Sequence, residues 1–154
     1  MLGYGRRSAM VVLALALAVG LWGGAWAAGQ DDPVSAEIAA LKGNWKVTKM
    51  EANGETPPPG VIDHLQLVIN DSAITLKAGG RSENMSYQID PKAQPKTFDM
   101  KPDAPEKKDV TVLGIYELSG DVLKLCWTTQ TTRPTAFSAK AGENRIFLEL
   151  ARVK

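Results

Sequence analysis

The sequence predicts an all-β domain behind one short N-terminal helix, and three observations carry that reading. From Gly43 onward, apolar and polar residues alternate with period two in eight separate segments, the mark of strands with one dry face. Most segments are joined by short turn-forming pairs. That favours antiparallel neighbours, because a parallel crossover needs a dozen residues or more. Ahead of the strands, Asp31-Asp32-Pro33 offers capping carboxylates and a first-turn proline to an apolar stripe of Val34, Ile38 and Leu41, with Gly43 as a stop. A helix this short is not stable alone and must lie on something apolar.

The elements follow in chain order. Arg6 and Arg7 precede an uncharged apolar run at 9–21, and Ala25-Trp26-Ala27 supplies small residues at the −3 and −1 positions of a cleavage site. This is the order of a Sec-type signal peptide over 1–27, which sends the chain to the periplasm or to secretion. The run falls short of the roughly 20 residues of a spanning helix, so no membrane span is expected after cleavage. A retained anchor extended through 20–29 is the alternative. The short segment and helix then occupy 28–42, and the β domain 43–154.

The inward residues of the eight strands are read as Trp45 and Val47; Leu65, Leu67 and Ile69; Ile74 and Leu76; then Met85, Tyr87 and Ile89. Phe98 and Met100 follow, then Gly114, Tyr116 and Leu118, then Leu123, Leu125 and Trp127. Ile146, Leu148, Leu150 and Arg152 complete the series. Turns fall at Asn70-Asp71, Gly79-Gly80, Asp90-Pro91, Gly120-Asp121 and 142–144. Longer connections are 55–60, with the stiff Pro57-Pro58-Pro59, the charged 101–109, and 128–141. A tight turn at Gly120-Asp121 sets Leu118 opposite Leu123, Glu117 opposite Lys124, Tyr116 opposite Leu125 and Gly114 opposite Trp127. The same register leaves Leu113, Ile115 and Cys126 as an apolar strip on the outer face, which the 34–41 helix is expected to cover. Eight such strands can close as a barrel or pair as a sandwich. Closure removes exposed edges and leaves an interior that is either filled or holds one small ligand.

Composition narrows function. With 18 basic and 17 acidic residues the net charge is +1, and loss of Arg6 and Arg7 with the leader makes it −1. No field steers the protein to nucleic acid or anionic lipid. One cysteine excludes an internal disulfide, and with one histidine leaves no set of Cys or His ligands for a metal. No cofactor is expected.

Gly43-Asn44-Trp45, opening the first strand after a short helix, resembles the Gly-x-Trp signature of lipocalin-type barrels. There an arginine of the last strand packs across the tryptophan, and Arg152 has the matching position and parity. More narrowly, the chain resembles a lipocalin-like domain family of unknown function expanded in planctomycete bacteria. The likeness runs through Leu41-Lys42-Gly43-Asn44-Trp45, Asn53-Gly54, Tyr87-Gln88-Ile89-Asp90-Pro91 and Pro95-Lys96 to Gly114–Asp121. It continues through Leu123-Lys124-Leu125-Cys126, Arg133-Pro134-Thr135 with Phe137, and Leu150-Ala151-Arg152. The resemblance implies an eight-stranded antiparallel up-and-down calycin-type barrel in a bacterial envelope setting, and it brings no catalytic residues.

Candidate site residues follow from the inward parity. Trp45, Tyr87, Phe98, Tyr116 and Trp127 either line a pocket or simply fill the barrel, and buried Tyr87 and Tyr116 each need a hydroxyl partner. Arg133, in the longest loop, either receives a ligand's carboxylate or phosphate or pins the loop to a neighbouring acid or carbonyl. Cys126 has no base beside it and reads as a packed thiol; His64 reads as solvated. No nucleophile–base pair emerges, so the expectation is a non-enzymatic monomer outside the cytoplasm. It would bind a small apolar ligand that enters near Pro57–Pro59, away from Trp45 and Arg152. The alternative is an envelope protein-interaction scaffold with a filled barrel, using the outer strip or the Arg133 loop.

Overall fold

The computed structural model describes residues 32–154, so the expected leader at 1–27 lies outside the described residues. The helix α1 (Pro33–Leu41) is followed by β1 (Gly43–Ala52), a single helical turn α2 (Pro59–Ile62), β2 (Leu65–Ile69), β3 (Ala73–Ala78) and β4 (Arg81–Asp90). Then come β5 (Thr97–Pro102), β6 (Val112–Ser119), β7 (Val122–Thr128) and β8 (Arg145–Arg152). Each strand pairs antiparallel with the next, and β8 returns to β1, closing the sheet as an up-and-down barrel. The sandwich is thereby excluded.

The β6–β7 hairpin has the predicted register, with Gly114 opposite Trp127, Tyr116 opposite Leu125 and Leu118 opposite Leu123. Lys124 Nζ bonds Glu117 across it at 2.9 Å. Gly114 leaves room for the neighbouring strand's backbone. A Cβ there would lie 2.5 Å from the Phe98 carbonyl oxygen on β5, nearer than the Trp127 side chain. On β1 the alternation breaks: the pairing with β8 slips between Val47 and Lys49, a β-bulge that returns Met50 to the inner face. Thr48 secures it, its hydroxyl donating to the Glu149 carbonyl at 3.0 Å.

The helix does not cover the outer strip. Its buried Leu41 and half-buried Ile38 pack into the main core at the barrel end where β1 begins and β8 ends. Asp32 caps its first turn. Two of the strip's three residues, Ile115 and Cys126, are covered instead by the β7–β8 connection, while Leu113 stays half-buried outside that cover. Phe137 and Ala139 of the connection close over Ile115, Cys126 and Phe147 in a second, smaller core. A loop can do this because the β1 turn anchors its far end: Asn53 Oδ1 accepts from Gly142 N at 2.9 Å, and Gly54 N donates to the Ala139 carbonyl. At Ile115 and Cys126 the surface suggested for a partner is therefore occupied by the chain itself.

Candidate functional site

The two ends of the barrel differ in chemistry. At the base, Trp45 is fully buried and its Nε1 donates to the Leu41 carbonyl at 2.9 Å. The Arg152 guanidinium lies over the indole, 4.2 Å from the ring centroid. Its two terminal nitrogens donate to the Lys42 and Ala40 carbonyls at 2.6 Å each, so it also caps α1 at its C-terminal end. Gly43 is explained by the same contact. Its φ is +135°, and a Cβ would stand 2.9 Å from the Arg152 guanidinium.

Next to the base, three of the expected pocket residues pack on one another. Tyr87 stacks on Phe98 at 5.3 Å between centroids, and Phe98 meets Tyr116 edge-on at 5.9 Å. Both phenols have partners: Tyr87 donates to the Asn70 carbonyl at 2.7 Å, and Tyr116 to Glu37 Oε1 at 3.1 Å. Lys96 Nζ shares that carboxylate at 2.6 Å. Burial raises the pKa of both tyrosines, and the Glu37 charge raises that of Tyr116 further. These rings fill the closed half.

The other half is hollow. A cavity of about 450 Å³ opens at the end where β4, β6 and β8 begin. Its walls come from every strand but β1. Leu67, Leu76 and Met85 stand on one side, Met100, Val112, Leu125, Trp127 and Ile146 on the other. Trp127 is the one residue of the predicted site among them. Along the barrel axis the inward residues thus divide into aromatic near the base and mainly aliphatic near the mouth. In sequence those aliphatic residues read only as inward-facing core. Two methionines give the wall side chains that adapt to irregular shapes.

The connection between β5 and β6 bends over the mouth, where Val110 joins the lining. A 3-10 turn at Pro105–Lys107 carries Lys107 to Glu83, their charged atoms 2.6 Å apart at the rim. The hydrogen bond and charge of Glu83 raise the Lys107 pKa, and both groups remain exposed. The Pro57–Pro59 segment lies on the connection at this same end, but α2 uses it to bury Ile62 in the core, and it does not line the cavity.

Arg133 sits apart from the cavity. Its guanidinium grips the Asp99 carboxylate with both terminal nitrogens and donates to the Gly114 carbonyl at 2.8 Å, pinning the long loop to β5 and β6. Cys126 is fully buried. Its thiol donates to the Ser138 carbonyl at 3.4 Å, and burial raises its pKa. His64 is exposed in a separate surface groove. Among the described residues no cluster of His, Cys, Asp or Glu is placed to hold a metal, and no helix is long and apolar enough to cross a membrane. In comparisons with known proteins, no family model matches the chain, and no curated protein and no solved structure matches it.

Proposed function

We propose that the protein is a non-enzymatic binding module that takes one small, largely apolar molecule into the barrel from the mouth, acting outside the cytoplasm. The observation that carries the reading is the 450 Å³ cavity walled by aliphatic chains and one indole, within the size range of small-molecule sites. Apart from Glu83, Lys107 and Thr129 its lining is apolar and offers little to hold water, so leaving it unfilled forfeits dispersion contacts that an apolar guest would restore. The export signal read at 1–27 supports the compartment, and the Trp45–Arg152 contact agrees with a lipocalin-like kinship.

Titration with the uncharged fluorophore N-phenyl-1-naphthylamine tests this. Saturable, blue-shifted emission at one site per chain is expected, with energy transfer from Trp127. Leu76→Trp, which fills the cavity from its wall, should abolish it. Native mass spectrometry of protein purified from its own envelope should show a bound small molecule. No fluorophore binding and no added mass would rule the reading out.

A further inference from the structure

The cavity does not end in featureless solvent. At Val110 and Thr129 it meets a second, open groove on the outer side of the rim, because both residues line both spaces. The groove is walled by Thr111, Gln130, Thr131 and Asp109, with Leu113 as its apolar floor. Its hydroxyls and amide are exposed, and among the described residues none of these side chains has an internal hydrogen-bond partner. Of the charges at the rim, Lys107 and Glu83 are already spent on each other, which leaves Asp109 as the charge facing the groove. Two basic side chains, Lys77 and Arg81, do stand at this end, in a groove they share with Asp63 and His64 beside the β3–β4 turn. That groove has no lining residue in common with the cavity.

Resting on the binding function proposed above, we infer that the ligand is an amphiphile with an uncharged, hydroxyl-bearing head. Its apolar part fills the barrel, and its head lies in the groove of Thr111, Thr129, Gln130 and Thr131. A single carboxylate in that groove, Asp109, disfavours an anionic head. Neutral hydroxyls can both donate to and accept from threonine and glutamine side chains, which suits a polyol better than a cation.

Three probes with twelve-carbon tails separate the possibilities: 1-monododecanoylglycerol, dodecanoate and dodecyltrimethylammonium. Each is used below its micelle concentration to displace bound N-phenyl-1-naphthylamine from the purified protein. The glyceride should displace at roughly tenfold lower concentration than either charged probe, the difference two or so neutral hydrogen bonds make. In Thr111→Val/Thr131→Val that ratio should fall towards one. Reading the ratio within one preparation cancels any loss of folded protein. Equal displacement by all three, a preference for either charged probe, or an unchanged ratio in the double variant overturns the head-group assignment while leaving the binding function standing. Failure of the fluorophore to bind at all removes both.

Discussion

Arg152 ties together three elements at one point: the last strand that bears it, the Trp45 indole of β1 and the final carbonyls of α1. Arg152→Ala loses two charge-assisted hydrogen bonds and a cation–π contact, and should lower stability by about 2–3 kcal/mol in urea unfolding. Arg152→Lys should recover less than half of that, because one ammonium cannot reach both carbonyls while covering the indole. A fully restored midpoint would show that charge alone matters there. Gly114→Ala forces a methyl against the Phe98 carbonyl and should cost about 1–3 kcal/mol, read as a lower Tm. The tyrosines set an alkaline limit. Their folded pKa values lie above the unfolded value of about 10, so the stabilisation is complete below that pH and drains away as pH climbs towards the folded values. Urea midpoints should fall steeply above roughly pH 10, and Tyr116→Phe should flatten that slope at the cost of about 1 kcal/mol at neutral pH. An unchanged slope would remove Tyr116 from the account.

At the level of elements, the strands and the β6–β7 register were legible because their side-chain alternation is local information, and a one-residue slip would have buried Glu117 and Lys124. The bulge after Val47 was not, since an extra residue shows only against the partner strand. The covering of the outer strip was misread for a similar reason. The stripe of α1 says that the helix must be buried, whereas its place is decided by the adjacent Trp45 together with Arg152 at the far end of the chain. The real cover, the connection carrying Phe137 and Ala139, has no periodicity to announce it. For Arg133 the sequence left two roles open, and Asp99, the carboxylate it grips, is 34 residues away in sequence. Arg133→Ala should release the loop, costing about 1–3 kcal/mol and speeding thiol labelling of Cys126 at least tenfold under native conditions. Labelling that still occurs only through global unfolding would show that Phe137 and Ala139 hold the cover by themselves.

For the whole molecule, the barrel's seam joins β1 to β8, and the bond from Arg152 to Lys42 spans 110 residues of sequence. Such a closure carries a large loop entropy, so folding on a timescale of milliseconds to seconds is expected, with the seam last. Stopped-flow refolding should show Arg152→Ala accelerating unfolding while leaving the refolding rate nearly unchanged; a slowed refolding rate would place the seam in the folding nucleus instead. What a linear reading could not supply is the partition of the interior, because whether inward residues meet at the axis depends on barrel diameter and on which rings share a level. An even number of strands has a further result. The chain reaches β1 and leaves β8 at the same pole, the one opposite the mouth. A protein immobilised through Lys154, or fused to another domain there, would hold its opening outward, free to exchange cargo while moored.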